Sequence, residues 1–294
     1  MRYWKKWPIN QINVDDERFP KYLKSIKTCP KKLFFRGNWN SNIFEKTIGV
    51  VGSRRITRYG RDVIAKFVPT FVGNKITIIS GFMYGVDSEA HKTCVENGGK
   101  TIAVLGGGLN YIYPPENDNL YSLILENGGL VLSEYEADFK PTLWSFPQRN
   151  RIVSALSTIG ILVIEAGLNS GSLITAKIAK KQGKKIFSIP GQINSSTSTG
   201  TNWLIKNYNG ILVSSPDDIL ESSFKINATQ IDLFEPDLSE IERKIIGLLK
   251  SEELSVDELS IKLNLAIADI SINLSMLLMK NLIEEEAGKV YLKN

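Results

Sequence analysis

Phe146-Pro147-Gln148-Arg149-Asn150-Arg151 places an aromatic ring, a rigid proline and two guanidinium groups within six positions. A ring that stacks on a base, beside cations that hold phosphate, is the chemistry of single-stranded nucleic-acid binding. Downstream, an apolar run at 161–164 leads into Glu165-Ala166-Gly167 and then Ser170-Gly171-Ser172 and Thr175. Small residues at such a junction leave backbone N–H groups free for an anion at a helix N-terminus. Gly52-Ser53-Arg54-Arg55 and Gly106-Gly107-Gly108 are further glycine turns that follow apolar runs. The plain alternative for 146–151 is a proline turn capping a surface helix.

Other residue types invite sharper readings. His91, the only histidine, lies one turn after Asp87. A general base also needs a nucleophile and an orienting partner, so a packed histidine bonded to Asp87 or backbone is expected instead. Glu134 and Glu165 follow apolar runs, and are expected to orient Arg54 or Arg149 by bidentate pairing; acid–base work by paired carboxylates is the alternative. Trp144 either extends a stacking platform from Phe146 or belongs to the core. The polar stretch 194–200 is expected to be flexible, with a hydroxyl-lined anion contact as the alternative.

The elements that must position these groups are legible as a repeat. Apolar runs at 48–51, 76–80, 101–105, 130–133, 161–164, 186–189 and 211–213 are short and apolar on both faces, as strands buried in a parallel sheet are. Helix-length segments separate most of them; 86–97 stops at Gly98-Gly99 and 172–182 stops at Gly183. This alternation predicts a doubly wound α/β sheet, which binds ligands beyond the carboxyl ends of its strands. The glycine turns fall at those ends. None is a Walker A loop or a complete G-x-G-x-x-G fingerprint.

With 294 residues, 43% hydrophobic and 23% charged, the composition is that of a globular protein with more than one domain. No apolar run reaches the ~18 residues that span a bilayer, and the basic, aromatic N-terminus lacks the apolar core of a secretory signal. Cys29 and Cys94 stand far apart without metal-type spacing, which fits a reducing cytoplasm. Residues 236–294 carry seven Lys/Arg against eleven Asp/Glu, a net of −4, so the remainder of a +5 chain carries +9. A polyanion is steered to the basic part.

The predicted organisation is a lead-in segment (1–45), a Rossmann-like domain (46–222), a linker (223–237) and a C-terminal domain (238–294). That last part has a helix opening at Ser239-Glu240, a second at Ser255-Val256, a third over 267–280, and a hairpin around Ala287-Gly288. Three helices and a hairpin make a winged-helix order. Its third helix carries Asp269 and mostly Ile, Leu, Ser and Met, whereas a DNA reader needs cations there. A protein-contact or structural role is expected.

Taken in order, these pieces resemble the DprA/Smf family of natural transformation. The resemblance rests on Val51-Gly52-Ser53-Arg54; Ser80-Gly81 with Gly85-Val86-Asp87 and Ala90-His91; and 101–106. It continues through Tyr113-Pro114 with Asn117, Ser133-Glu134, 146–152, Glu165-Ala166, 170–176, Pro190-Gly191, and Gly200 with Asn202 and Leu204-Ile205. It implies an extended Rossmann domain that binds and protects single-stranded DNA, delivers it to the RecA recombinase, and forms a homodimer through that domain. It implies no catalytic step, cofactor, metal or membrane insertion. On the family's pattern Arg54 holds a phosphate, Phe146 stacks on a base, and Arg149 and Arg151 line or brace the basic rim. Ser170, Gly171, Ser172 and Thr175 offer hydroxyls and amides; Gly52, Ser53, Gly106, Gly107 and Asn150 complete the expected DNA-binding set.

Two departures stand out. The family's usual Ser-Gly-Leu-Ala-Arg-Gly-Ile-Asp is here Ser80-Gly81-Phe82-Met83-Tyr84-Gly85-Val86-Asp87, so a tyrosine replaces a phosphate-binding arginine. Ahead of the Rossmann part only 16–37 resembles the family's lead-in, so functions of the N-terminal helical domain of many members are not expected. Two other functions compete. A nucleotide phosphoribohydrolase on a similar sheet would need a Pro-Gly-Gly-x-Gly-Thr turn, where this chain has Glu165-Ala166-Gly167-Leu168-Asn169-Ser170-Gly171. A transcriptional regulator reading duplex DNA with its tail is opposed by the tail's acidity.

Overall fold

Pairs of adjacent apolar residues decide the layering of the larger unit. In the computed structural model, which describes residues 3–224, 238–249, 252–280, 282–286 and 288–292, Ile48 and Val50 face one layer of helices and Val51 the other. Ile78 and Ile79 split in the same way, as do Leu162 and its neighbours Ile161 and Val163. Successive side chains of a strand point to opposite faces, so runs apolar at every position need cover on both sides.

The chain divides into two compact units, Met1–Ile226 and Asn227–Asn294. The first holds a nine-stranded sheet of β1 (Asn10–Asn13), β2 (Lys32–Gly37), β3 (Thr47–Val51), β4 (Thr77–Ser80), β5 (Thr101–Val104), β6 (Leu130–Ser133), β7 (Gly160–Val163), β8 (Ile186–Ser188) and β9 (Ile211–Leu212). Their spatial order is β1-β2-β6-β5-β4-β3-β7-β8-β9. Strands β3 to β9 are parallel, and β1 and β2 add antiparallel pairs at the β6 side. The stretch expected as a lead-in thus supplies two strands of the sheet itself.

The helices are α1 (Lys21–Lys24), α2 (Arg58–Gly73), α3 (Val86–Glu96), α4 (Asp118–Glu126), α5 (Ser145–Leu156), α6 (Gly171–Lys181), α7 (Thr199–Asn207) and α8 (Pro216–Phe224). Helices α2, α3 and α8 pack on one face around Phe67, Phe71, Ala90 and Ile219, and α5, α6 and α7 on the other around Ile152, Leu156, Ala176 and Leu204. The chain runs outward from β3 through β4 and β5 to β6, then returns to place β7 on the other side of β3. Connections therefore leave β3 and β7 in opposite directions. A crevice opens beyond their carboxyl ends, where doubly wound sheets bind ligands.

The second unit contains α9 (Glu240–Leu249), α10 (Val256–Leu263), α11 (Ile267–Met279) and a hairpin of β10 (Ile283–Glu286) and β11 (Lys289–Leu292). Ser255 and Glu258 form a capping box that starts α10. Helix α11 buries Ile270, Leu274 and Leu277, while Ile272, Met276 and Met279 are exposed. Lys280, the cation at its end, pairs with the buried Glu242 at 2.7 Å. The expected linker, 223–237, lies from residue 225 onward outside the described residues.

Candidate nucleic-acid interface

At the crevice between β3 and β7 the loops leave a cleft of about 660 Å³. Gly52, Ser53, Arg54, Phe146, Arg149, Asn150, Ser170, Gly171, Ser172 and Thr175 line it; Gly106, Gly107 and Arg151 do not. Arg55, Asp87, Ser196 and Thr197 complete its charged and hydroxyl lining.

Helix α5 explains much of this division. Pro147 is tolerated in its first turn, where no intrahelical bond needs the missing N–H. Phe146, Arg149, Asn150 and Val153 then fall at i, i+3, i+4 and i+7, a single helical face, and all four line the cleft. Arg151 falls off that face. It forms a bidentate pair with Glu134, Nη1 to Oε1 at 2.9 Å and Nη2 to Oε2 at 2.7 Å, with both side chains mostly buried. Helical spacing was available in the sequence and separates the two arginines.

The Phe146 ring is half-buried and held in place. It lies against Gly106, where a Cβ would come within 2.6 Å of its Cδ1, and its centroid is 5.5 Å from that of Tyr113. Gly106 therefore seats the ring instead of offering an amide to the cleft. Gly107 packs on Pro141. Trp144 does not extend the Phe146 platform; it is 55% exposed and meets Tyr135 and Phe139 edge-on.

Arg54 and Arg55 are the exposed cations of the cleft, and among the described residues neither enters an ion pair. Their loop is fixed from below. The Val86 N–H donates to the Ser53 carbonyl at 3.1 Å, and the Ser53 hydroxyl accepts from the Arg55 N–H at 3.0 Å. Gly85 permits that approach: its φ is +75°, and a Cβ would lie 2.3 Å from the Ser53 carbonyl oxygen.

Arg149 is different in kind. It is 2% exposed, and Nη1 donates to the carbonyls of Gly81 and Val104, tying together the ends of β4 and β5. Burial lowers its pKa to about 10, against the attraction of Asp87 and with the repulsion of Arg54. Asp87 is buried beside it. Desolvation raises its carboxyl to about 6, opposed by Arg149 and by the Met83 N–H that it accepts at 3.3 Å. Arg149 braces the floor of the cleft while Arg54 and Arg55 stand at its surface.

Several expected partnerships are replaced by others. Glu165 reaches neither Arg54 nor Arg149. It accepts from the Thr57 N–H at 2.9 Å, the Thr57 hydroxyl at 2.6 Å and the Thr197 hydroxyl at 3.3 Å, joining the start of α2 to the polar loop before α7. Glu134 has the bidentate geometry, but with Arg151. The polar loop is pinned: Ala166 and Gly200 N–H groups donate to Thr197 and Ala166 carbonyls, both at 2.7 Å, and Ser196 and Thr197 line the cleft. His91 is fully buried against Thr101, not Asp87. The Thr101 hydroxyl donates to the Ile78 carbonyl, so the histidine Nδ1 carries the proton and donates to Thr101 at 2.6 Å. Its Nε2 has no partner among the described residues, and burial lowers its pKa to about 3.

At the N-terminus of α6, Ser170 caps the helix by accepting the Ser172 N–H at 3.3 Å. The exposed Gly171 leaves open space at the first helical position. Helix dipole, bare amide and hydroxyls converge there on the same cleft as Arg54 and the Phe146 ring.

Comparison with known proteins bears on this arrangement. A family described as DNA recombination-mediator protein A matches residues 10–224, and the DprA winged helix domain matches residues 234–289. Protein Smf of Escherichia coli is 41% identical over 74% of the chain, which spans 58% of that relative. DNA processing protein DprA of Streptococcus pneumoniae is 38% identical, with 75% of the chain and 76% of the relative covered. A crystal structure of the pneumococcal protein superposes with a TM-score of 0.67 at 37% identity, covering 75% of each chain. DNA processing protein A from Helicobacter pylori, solved for its single-stranded DNA binding mode, gives 0.66 at 31% identity over 74% of this chain and 97% of that one. With the two matches in order along the chain and the first covering most of it, this chain belongs to the DNA recombination-mediator protein A family, DprA/Smf.

Proposed function

We propose that this protein is a single-stranded DNA-binding recombination mediator whose strand lies in the switch-point cleft. The observation that carries this reading is the convergence of three groups on one cleft: the exposed Arg54 and Arg55, the Phe146 ring seated on Gly106, and the uncovered N-terminus of α6. Cations track phosphates, amides and hydroxyls fix one of them, and an aromatic face takes any base, which gives affinity without sequence choice. Gly52 and Ser53 position the arginine loop, Asn150 lies beside Phe146 on the same helical face, and Thr175 adds a hydroxyl below the α6 terminus.

The role extends to protecting cytoplasmic single strands and passing them to the RecA recombinase during transformation, on the strength of family membership. A homodimer through the Rossmann domain is part of the proposal. It is supported by the two-residue edge strand β9, whose Ile211 and Leu212 are 39% and 50% exposed at the open side of the sheet. No catalytic step is assigned. Glu165, the glutamate at the strand end where a nucleotide hydrolase needs one, does not line the cleft and is engaged by Thr57 and Thr197. Nucleoside monophosphates should release no free base.

The test is fluorescence anisotropy of the full chain against an unstructured single strand and the matching duplex across a salt series. Tight, salt-sensitive binding that favours the single strand and collapses in an Arg54→Glu, Phe146→Ala double variant is expected. Full affinity in that variant refutes the assignment of the cleft.

A further inference from the structure

Beyond the cleft lining, Tyr113 and Tyr84 continue the row of rings that begins at Phe146. Their centroids step by 5.5 Å from Phe146 to Tyr113, with the planes tilted by 43°, and by 6.1 Å from Tyr113 to Tyr84, which meet edge to face at 77°. Tyr113 is 41% exposed and Tyr84 37%, although both sit among packed elements. The two rings stand on different loops that are fastened together. Asn117, 8% exposed, donates to the Phe82 carbonyl at 3.1 Å and to the Ser88 hydroxyl at 2.8 Å, holding the loop of Tyr113 against the start of α3. The Tyr84 hydroxyl donates to Glu116 at 3.1 Å.

We infer that Tyr84, Tyr113 and Phe146 form a stepped ledge of differently oriented rings, each of which takes one of the neighbouring bases of the bound strand. The inference rests on the single-strand reading of the cleft. Charge gives the ledge its polarity. Glu116, bonded to the Tyr84 hydroxyl away from the cleft lining, repels phosphate, whereas Arg54 lines the cleft and attracts it. A strand with its phosphates toward Arg54 and the α6 terminus turns its bases toward the rings. Where the family pattern has an arginine, this chain then holds DNA at Tyr84 through a base contact, which does not weaken with salt as a phosphate contact does.

The experiment measures anisotropy of the full chain with Tyr84→Ala, Tyr84→Phe, Tyr113→Ala and Phe146→Ala. The probes are an unstructured homothymidine strand and the same length of abasic backbone. On the thymidine strand each alanine variant should weaken binding about five- to 150-fold with an unchanged salt slope, and Tyr84→Phe should bind like the parent. On the abasic strand Tyr84→Ala should match the parent. If Phe146→Ala weakens binding and neither tyrosine variant does, the ledge is wrong and the single-strand site stands. If none of the three weakens binding, the site itself is wrong. Equal losses by Tyr84→Ala on both probes, or a loss in Tyr84→Phe as large as in Tyr84→Ala, overturn the stacking role.

Discussion

Gly106→Ala adds one methyl group that should remove a base contact without touching the strand. The new Cβ would lie 2.6 Å from Cδ1, 3.1 Å from Cε1 and 3.3 Å from Cγ of Phe146, and those are its three nearest neighbours. Ordinary carbon contacts begin near 3.5 Å, so the ring must move by roughly 1 Å. The backbone at Gly106 does not have the positive φ that would itself strain alanine. Phe146 is half-buried at the mouth of an open cleft, so swinging outward relieves the clash at small cost to folding. Losing the stack costs about 1–3 kcal/mol, or about five- to 150-fold in affinity. No charge changes, so the salt slope should stay fixed. Because both substitutions act through one ring, Gly106→Ala combined with Phe146→Ala should bind no more weakly than Phe146→Ala alone. Anisotropy on a single strand, with thermal melts to confirm folding, measures all four corners of the cycle. Parent-like affinity in Gly106→Ala, or additive losses in the double variant, refutes the seating of the ring.

Arg54→Ala should weaken single-strand binding and lower the slope of log affinity against log salt by about 0.7, the share of one phosphate contact; an unchanged slope would remove Arg54 from the phosphate path. His91 provides a test of the core beneath. Its folded pKa is held near 3 against an ordinary 6.5, so only the unfolded chain takes up its proton as pH falls through that window. Stability from this group is full above 6.5 and declines toward pH 3 by on the order of 5 kcal/mol. Asp87, raised to about 6, acts in the opposite sense between about 6 and 4 and offsets part of that loss. In denaturant melts, the stability gap between parent and His91→Asn should narrow as pH falls; parallel curves would refute the account.

The parallel sheet was legible because its strands are apolar on both faces, and all seven expected runs appear with no end shifted by more than one residue. Strand β1 was not, because Asn10, Gln11 and Asn13 are exposed and only Ile12 is buried. An edge strand with one core residue has no periodicity to detect. The chemistry of the cleft was legible in residue types, yet pairings were not. Helical spacing puts Arg149 and Arg151 on different faces, but the sequence does not say which face meets the sheet. One spans the ends of β4 and β5 while the other lies against Glu134, a difference set by which helical face meets the sheet. Glu165 was expected beside an arginine, and the strand order placed the Thr57 and Thr197 loops on it first. The loop 194–200 has a composition that favours flexibility, and two backbone bonds to Ala166 override it.

The buried pair on the floor makes the cleft's charge adjustable. Arg149 and Asp87 approach the same point: a Cβ on Gly81 would lie 2.7 Å from Nη2 of one and 2.7 Å from Oδ2 of the other. While Asp87 is ionised it compensates Arg149, and only Arg54 and Arg55 attract a phosphate. With its carboxyl raised to about 6, Asp87 takes up a proton as pH falls from 7 to 5, and the floor becomes net positive. His91, held near 3, does not titrate in this window. A unit charge about 10 Å from a phosphate, at an effective dielectric of about 20, is worth about 1–2 kcal/mol, so single-strand affinity should rise severalfold, to about tenfold, between pH 7 and pH 5. Asp87→Asn should bind more tightly at pH 7 and lose the pH dependence, provided thermal melts show it folded. If the parent and Asp87→Asn gain affinity equally on acidification, the floor does not carry the effect, and the cleft's field is set by its surface arginines alone.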